Sequence, residues 1–450
     1  MDDLTGKRLL ILGLARQGTA LARFAAGNGA QVTVSDLRSE EKLSGIMVEL
    51  ADLELSYVLG EHPMSLLDKT DMLAISGGVP IDAPIVQAAR ERGIPVTNDS
   101  LEFMKRTPTT VIGITGSAGK TTTTALTGVM GQLAGRRTWV GGNIGRPLIA
   151  DLPKMSADDL VVQELSSFQL ELWTESPRLA AVLNITPNHL DRHHTMEAYT
   201  TAKANILRFQ DKGDVAVLSA DDPGSLALQS LVNGRLRLFS LTQEVPDGAF
   251  IRGNQIWLRN GQETAVCHLG DIQLRGDHNV SNVLAAITLA DAAGVPLPAI
   301  QQTIRTFRGV EHRLELVRTW QGVQYINDSI ATAPERAMAA LRSFTEPIVL
   351  LAGGKDKEMI WEAWAQRVHQ QVKHVILFGA LADLLQAHLS AYDSPLVVTR
   401  VNTLGEAVAV AAQTAVAGEV VLLSPGGTSF DAYNDFAERG VAFRQLVNAL

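Results

Sequence analysis

The sequence contains very little cysteine, no long apolar segment and no excess of positive charge. With one cysteine, Cys267, among 450 residues, the chain can form no internal disulfide and no cysteine-based metal site. No apolar run approaches the ~18 residues that a membrane-spanning helix needs. Lysine and arginine number 39 against 48 aspartates and glutamates, and the resulting net charge of −9 argues against binding nucleic acid by overall electrostatics.

The residues that are present have the balance of an ordinary soluble protein, with 46% apolar and 19% charged side chains. A chain of 450 residues is long enough for two or three domains with sizeable cores. The opening residues, MDDLTGKRLLILG, are acidic and lead into only a short apolar run, which does not predict a signal peptide. We therefore expect a cytoplasmic protein that binds neither membranes nor nucleic acid.

A glycine-rich stretch, GITGSAGKTTT at residues 113–123, follows an apolar strand and precedes a helical segment. Backbone N–H groups at such a strand-to-helix turn attract anions, which predicts a phosphate-binding loop. The loop is shorter than a Walker loop, since Ile114 occupies the position where that motif has its first glycine. Lys120 is expected to reach the β- and γ-phosphates, and Thr121 to place its hydroxyl on Mg²⁺. The alternative is a glycine-rich turn with an incidental lysine.

Apolar runs that alternate with amphipathic segments predict an α/β protein of three consecutive domains. The first opens with strand 7–12, the turn GLARQG and a strand ending at Asp36, a dinucleotide-type βαβ unit in which Ala15 replaces the middle glycine. That turn indicates either a nucleotide or diphosphate ligand or simply a tight connection. We predict antiparallel strands within 235–274. The predicted domains are Rossmann-like (1–98), P-loop ATPase-like (99–308) and doubly wound Rossmann-like (309–450).

Polar residues at strand ends supply further candidates for a site in the central domain. Glu164 ends the run LVVQE and is either a magnesium ligand or an acid at a helix N-terminus. His189 follows another strand, with His193 and His194 nearby, which indicates a site or a polar surface turn. Lys203, taken alone, is typical of a solvated charge on a helix.

Two asparagines and a group of charged or hydroxyl-bearing residues complete the candidates. Asn279 and Asn282 share one face of a helix start, where carboxamides suit either a purine edge or N-capping. Five strands are predicted in the third domain, at 323–328, 347–354, 374–379, 396–401 and 419–427. Cations and hydroxyls follow several of these strands and suit a small dicarboxylate and a transferring phosphoryl group.

Seven segments, in this order along the chain, resemble the motifs of the Mur ligase superfamily, which also includes folylpolyglutamate synthases: TGSAGKTT, ELSSFQLE, NITPNHLDRH, GDHNVSN, HR, NDS and SPGGTSFD with a later F and RG. The resemblance covers essentially the whole chain. ELSSFQLE and the terminal segment are most similar to the members that add D-glutamate. The resemblance implies an ADP-forming amide ligase, a monomer, that joins D-glutamate to UDP-N-acetylmuramoyl-L-alanine through an acyl phosphate in cytoplasmic peptidoglycan precursor synthesis.

The resemblance also implies roles for individual residues. The UDP substrate would be held by Gly13, Leu14, Ala15, Asp36, Ser76, Gly77 and Asn143. ATP would be bound by Gly116, Ser117, Gly119, Lys120, Thr121, Thr122, Asn279, Asn282, Arg313 and Asp328. One Mg²⁺ would be held by Thr121 and Glu164, and a second by His189 and by Lys203 as a carbamate, with Glu164 shared between the two ions. The catalytic group would comprise Lys120, Glu164, His189 and Lys203. D-Glutamate would be bound by Thr332, Lys357, Ser429 and Phe436.

Two positions depart from the family's pattern, and other functions stay open. Ile330 stands where many members carry lysine, so Lys355 or Lys357 would have to supply that contact, and Asn188 stands where the family often has aspartate. One alternative is an amide ligase that adds a different amino acid, although the DNPR signature of the diaminopimelate- or lysine-adding members is absent. Another is an inactive protein that binds the UDP precursor. A nicotinamide-dependent oxidoreductase would leave the phosphate loop unexplained.

Overall fold

The structure, a computed structural model, describes residues 4–357, 359–392 and 395–450. The chain divides into two compact units, Met1–Phe307 and Arg308–Leu450. The predicted domain limits stay a prediction. None of the helices in the described ranges has the length and apolar character that crossing a bilayer requires.

The first sheet has five parallel strands in the order β3-β2-β1-β4-β5. Its strands are β1 (Arg8–Leu12), β2 (Gln31–Asp36), β3 (Leu55–Leu59), β4 (Met72–Ile75) and β5 (Val96–Thr97). Its helices are α1 (Arg16–Gly27), α2 (Glu40–Glu49) and α3 (Pro84–Glu91), followed by α4 (Asp99–Arg106). The strand order reverses between β1 and β4, so the turns after these two strands form the crevice where such sheets bind ligands.

The second sheet has nine strands in the order β14-β13-β12-β11-β10-β9-β6-β8-β7. Its strands are β6 (Thr110–Thr115), β7 (Thr138–Gly142), β8 (Leu160–Glu164), β9 (Leu179–Val182), β10 (Val215–Ser219), β11 (Arg235–Ser240), β12 (Gly248–Arg252), β13 (Gln255–Asn260) and β14 (Gln262–His268). Its helices are α5 (Lys120–Leu133), α6 (Ser167–Leu170), α7 (Leu190–His193), α8 (Met196–Arg208), α9 (Pro223–Ala227), α10 (Asp277–Ala292) and α11 (Leu297–Thr306).

The prediction of antiparallel strands in 235–274 is wrong for β11 and correct for the hairpins after it. β11 pairs in parallel with both β10 and β12, whereas β12, β13 and β14 pair antiparallel. A helical segment between β10 and β11 returns the chain to the same end of the sheet, which makes the next strand parallel. Alternate residues of β9 face two separate apolar cores, so the sheet is buried on both sides.

The second unit is built on a six-stranded sheet in the order β15-β16-β20-β17-β18-β19. Its strands are β15 (Glu315–Trp320), β16 (Val323–Asn327), β17 (Ile348–Gly353), β18 (Val372–Phe378), β19 (Val397–Arg400) and β20 (Val420–Gly426). Its helices are α12 (Pro334–Leu341), α13 (Glu362–Gln371), α14 (Ala382–Leu389), α15 (Leu404–Thr414) and α16 (Phe436–Asn448). The five predicted strands form a parallel, doubly wound sheet, and β15 adds an antiparallel edge.

Candidate functional site

The glycine-rich loop joins β6 to α5 and wraps around the first turn of that helix. Gly119, at φ 82°, adopts a left-handed conformation, and a Cβ there would lie 2.2 Å from Asn282 Oδ1. Asn184 fixes the loop from the neighbouring strand end, since its Oδ1 accepts from the Ala118 N–H at 2.8 Å. Lys120 Nζ donates to the Gly116 carbonyl at 2.7 Å, which places a cation over an N–H-lined anion cradle.

Glu164 ends β8 next to this loop and is almost completely buried, with 1% of its surface exposed. Its Oε2 accepts from Thr121 Oγ1 at 2.8 Å, and its Oε1 accepts from Asn143 Nδ2 at 2.7 Å. Ser166, and not Glu164, caps the following helix α6, whereas the Glu164 carboxylate lies beside the first turn of α5. A carboxylate and a hydroxyl in contact beside a phosphate cradle are the oxygen ligands that Mg²⁺ prefers, so the residues present fit this ion.

Lys203, on α8, is buried beside the same loop. Its Nζ donates to the Gly116 carbonyl at 3.0 Å and to Thr115 Oγ1 at 3.3 Å. Burial lowers the pKa of the Lys203 amine well below its usual value; the charge of Lys120 lowers it further, while Glu164 opposes the shift. The alternative of a solvated helix charge is therefore wrong, and the environment favours a neutral amine.

The three histidines of the 189–194 segment lie in different surroundings. His189 is exposed and meets the ring of Phe168 edge-on, at 5.0 Å between centroids. His193 is buried, with Nδ1 3.0 Å from Glu171 Oε1, and His194 is exposed. Within the described ranges, no group of three or more histidine, cysteine, aspartate or glutamate side chains is placed to hold a metal ion. The expected metal site thus consists of the Glu164 carboxylate with Thr121 and Lys203 as neighbours. His189 lies in the segment after β9, at the same edge of the sheet.

Residues predicted to hold the UDP substrate lie at the switch point of the first sheet. The Leu14 N–H donates to Asp36 Oδ2 at 2.7 Å, and Ser76 Oγ donates to the Gly13 carbonyl at 2.6 Å. Burial would raise the pKa of Asp36, but the hydrogen bonds from Arg38 and from Leu14 outweigh it and hold the value at about 2. The Arg38 pair, which the sequence analysis missed, keeps this carboxylate ionised and fixed.

A cleft of about 250 Å³ lies between these turns and the central sheet. Its lining comprises Ala15, Arg16, Gln17, Gly77, Gly78, Asn143, Ser166 and Phe168. Asn143 lines the cleft and also donates to Glu164, so the cleft leads from the first-sheet turns towards the candidate magnesium ligand. Of the residues predicted to hold the UDP substrate, the cleft thereby brings together Ala15, Gly77 and Asn143, whereas Gly13, Leu14, Asp36 and Ser76 lie outside its lining.

The two asparagines predicted to face adenine lie at the start of α10. Asn282 is buried against Gly119, and its Nδ2 donates to Asn279 Oδ1 at 3.1 Å. Thr123 Oγ1 donates to Asn282 Oδ1 at 3.4 Å. Asn282 therefore supports the phosphate loop. Asn279 is half-buried, and its Nδ2 donates to the Arg275 carbonyl at 2.8 Å.

In the second unit, Asp328 is buried at the end of β16 and accepts from Ser424 Oγ at 2.9 Å. Burial raises the pKa of its carboxyl to about 7. Arg313 is exposed and pairs through its backbone with Val310.

The residues predicted to hold D-glutamate also belong to this unit. Lys357 is exposed and its Nζ lies 5.5 Å from the ring centre of Phe430. Ser429 is buried, whereas Phe436 is partly exposed and its carbonyl accepts from Ser329 Oγ at 2.8 Å. Ile330 is half-buried where a lysine was expected, so it brings no charge to this edge.

Several contacts were not predicted from the sequence. The Tyr199 hydroxyl shares a hydrogen bond with Ser117 Oγ at 3.0 Å, and its ring lies 4.8 Å from Lys203 Nζ. Arg192 lies over the ring of Phe168. Tyr199 lies four residues before Lys203 on α8, and that helical spacing is the signal that could have identified it.

Family models match three successive parts of the chain. They are described as a Mur ligase MurD-like N-terminal domain (residues 7–98), a Mur ligase middle domain (114–290) and a Mur ligase glutamate ligase domain (312–427). Curated proteins named UDP-N-acetylmuramoylalanine–D-glutamate ligase are similar over the full length. One from Symbiobacterium thermophilum is 43% identical, covering 99% of this chain and 98% of its own. One from Pelotomaculum thermopropionicum is 40% identical, covering 100% and 99%.

Solved structures share the fold at low sequence identity. UDP-N-acetylmuramate-alanine ligase from Thermotoga maritima has a TM-score of 0.56 at 20% identity, covering 98% of this chain and 99% of its own. Escherichia coli FolC, solved in complex with DHPP and ADP, has a TM-score of 0.54 at 15% identity, covering 78% and 92%.

Proposed function

The chain belongs to the Mur ligase family, and on that premise we propose that it joins D-glutamate to UDP-N-acetylmuramoyl-L-alanine at the expense of ATP. The observation that carries the proposal is the hydrogen-bonded group of Lys120, Thr121, Glu164 and Lys203 around one phosphate loop. This group lies next to a cleft whose other wall is the first-sheet switch point. Full-length relatives that carry the D-glutamate ligase name support the choice of amino acid.

The proposed reaction has two steps. The alanyl carboxylate of the UDP substrate attacks the γ-phosphorus of ATP, which gives an acyl phosphate and releases ADP. The amine of D-glutamate then attacks the acyl carbon, and the tetrahedral intermediate collapses to the amide, inorganic phosphate and a proton. Catalysis in such a reaction consists mostly of positioning and electrostatic stabilisation.

The chain's own residues would supply that positioning. Gly116, Ser117, Gly119 and Thr122 frame the loop, whose N–H groups would hold the phosphates, and Lys120 would neutralise charge on the transferred group. Thr121, Glu164 and His189 would hold Mg²⁺, which when bound screens the charge that develops on the phosphoryl oxygens. His189 orients groups in this proposal and is not the base.

Lys203 would act as a carbamate. A buried, neutral amine adds CO₂ and releases a proton, and the product is an oxygen-bearing anion in place of a cation. The depressed pKa of Lys203 and its position beside Gly116 support this proposal, because only the neutral amine reacts. The carbamate would add a second carboxylate-type ligand to the ion held near Glu164.

The remaining substrate contacts are assigned by motif. Asn279, Asn282, Arg313 and Asp328 would bind the nucleotide, and the last would accept a ribose hydroxyl. D-Glutamate would be bound by Thr332, Lys357, Ser429 and Phe436. Gly13, Leu14, Ala15, Asp36, Ser76, Gly77 and Asn143 would hold the UDP substrate. We propose that the protein works as a cytoplasmic monomer in peptidoglycan precursor synthesis.

The test is phosphate release from ATP in the presence of UDP-N-acetylmuramoyl-L-alanine, with D-glutamate, L-glutamate, L-alanine and diaminopimelate assayed in parallel. We expect release that depends on D-glutamate and is lost in Lys120→Ala and Lys203→Ala. The exposed Lys212→Ala is the matched control and should keep full activity. Release with another amino acid would change the substrate and keep the reaction class. Binding of the UDP compound without any release would favour an inactive precursor-binding protein.

A further inference from the structure

Arg192 contacts two residues that line the cleft from opposite sides, Gly77 and Phe168. It belongs to the short helix α7 of the central domain, yet its Nη1 donates to the Gly77 carbonyl at 2.6 Å and its Nη2 donates to the Val79 carbonyl at 2.7 Å. Gly77 lies in the turn that lines the cleft from the first sheet. One guanidinium therefore fixes the central domain to the turn proposed to hold the UDP substrate.

The same guanidinium lies over an aromatic ring of the central domain. Its Cζ is 4.1 Å from the centre of the Phe168 ring, a cation–π distance. Phe168 meets His189 edge-on at 5.0 Å and stacks on His193 at 5.3 Å with an interplanar angle of 12°. A continuous set of contacts thus runs from Gly77 through Arg192 and Phe168 to His189.

The segment that carries Arg192 needs such contacts to keep its shape. His189 and His194 flank α7 and have positive φ angles of 54° and 63°. Non-glycine residues with such angles cost roughly 1–3 kcal/mol and persist where surrounding contacts hold them. His193 anchors one side of the segment, with Nε2 2.8 Å from Ser167 Oγ, and Arg192 anchors the other.

We propose that Arg192 is a positioning residue that couples the first-sheet turn to the placement of His189 at the metal site. The inference rests on the proposed function. A UDP substrate that fixes the Gly77 turn would hold Arg192, and through Phe168 would hold His189 where it binds the divalent ion. Linkage then requires each ligand to strengthen the binding of the other by the same factor.

Calorimetry measures this coupling directly, without turnover. The Kd of UDP-N-acetylmuramoyl-L-alanine is determined with and without saturating Mn²⁺ for the full chain, Arg192→Met, Arg192→Lys and Arg178→Met. Methionine keeps the packing on Phe168 and removes the donors, while lysine keeps one donor group. Arg178 is exposed at the opposite end of β9 from α7, so its replacement controls for the loss of one charge.

We expect Mn²⁺ to tighten UDP-substrate binding by about 5-fold or more in the unmodified chain and in Arg178→Met, a coupling of ordinary size. In Arg192→Met the substrate should still bind, and the effect of Mn²⁺ should fall below about 2-fold, with Arg192→Lys between the two. If circular dichroism shows that Arg192→Met does not fold, the test uses Arg192→Lys, in which Mn²⁺ should tighten UDP-substrate binding less than in the unmodified chain.

Two results would overturn the inference while leaving the proposed function intact. One is undiminished coupling in the Arg192 variants, which would make the residue a structural tie only. The other is tight binding of both ligands with no coupling in the unmodified chain. Failure of the unmodified chain to bind the UDP substrate at all would instead remove the proposed function, and the inference with it.

Discussion

Asn143 and Glu164 are joined by two hydrogen bonds, one through side chains and one through the backbone. Asn143 Nδ2 donates to Glu164 Oε1 at 2.7 Å, and the Asn143 N–H donates to the Glu164 carbonyl at 2.9 Å. The backbone bond fixes the loop after β7 to the end of β8, and the side-chain bond orients the carboxylate. Thr121 Oγ1 donates to the other carboxylate oxygen, Oε2, so both oxygens of Glu164 are held in a fixed orientation beside the phosphate loop.

We expect Asn143→Ala to lower activity mainly by loosening this carboxylate. A hydrogen bond to a charged group contributes about 1.5–3 kcal/mol, which corresponds to a decrease of roughly 10- to 150-fold in kcat/KM. The Mg²⁺ concentration that gives half-maximal activity should rise as well, and phosphate release against Mg²⁺ measures both effects. Asn254→Ala, at an exposed turn between β12 and β13, is the control. An unchanged Mg²⁺ requirement would show that Asn143 contacts substrate without orienting Glu164.

The central strands and the phosphate loop could be predicted from sequence because each has a strong local signal. β8 and β9 are buried on both faces, and their sequences accordingly contain the continuous apolar runs LVV and LAAV. The loop is recognised by glycines and a lysine between a strand and a helix. Glu164 could be found because a charged residue at the end of such a buried strand has few structural reasons to be there.

The strands missed by the sequence analysis are all at sheet edges. β3, β7 and β15 each pair with a single neighbour, and most of their residues are half-buried. An edge strand needs no continuous apolar run, so its pattern is weak. The contacts of Arg38 and Arg192 were missed for a different reason: an arginine on a polar turn looks solvated until the fold places acceptors beside it.

We expect Lys203 to carry a carbamate when CO₂ is present. The neutral amine adds CO₂ and releases a proton, and burial, which depresses the Lys203 pKa, keeps a larger neutral fraction than an exposed lysine has. Protein equilibrated with ¹³C-bicarbonate should show a carbamate carbon signal by NMR that disappears in Lys203→Met and weakens as pH falls. Lys212→Met, at an exposed position, should retain it. A signal that survives in Lys203→Met would assign the carbamate to another lysine.

Asp99 should make the stability of the first unit fall as pH rises. Burial at the start of α4 raises the pKa of its carboxyl from 3.8 to about 7, so the fold favours the protonated form. Below the unfolded-state pKa, Asp99 is protonated in both states and the free energy of unfolding is unaffected. Between the unfolded and folded pKa values, the unfolded state ionises first and the free energy of unfolding falls. Above about 7 this loss of stability reaches its full size of at most ~4 kcal/mol.

The variant Asp99→Asn resembles the protonated acid and should remove this dependence. Urea unfolding at pH 4 and pH 8 should show the unmodified chain losing stability relative to Asp99→Asn as pH rises. Asp68→Asn changes an exposed carboxylate paired with Arg92 and is the control for how the free energy of unfolding changes with pH. Parallel slopes for Asp99→Asn and the unmodified chain would mean that Asp99 does not titrate in this range.

Lys357 should set the affinity for the amino-acid substrate, because Ile330 brings no charge to the edge where many family members carry lysine. Loss of a charge-assisted contact of about 1.5–3 kcal/mol predicts a rise of roughly 10- to 150-fold in the KM for D-glutamate in Lys357→Met, with the KM for ATP nearly unchanged. Lys355→Met tests the neighbouring cation, whose backbone pairs with Thr428. If Lys355→Met raises this KM and Lys357→Met does not, Lys355 makes the contact. Ile330→Lys should restore part of the affinity for D-glutamate that Lys357→Met loses. We expect this result because residues 330 and 357 would both face the site that binds the carboxylates of D-glutamate.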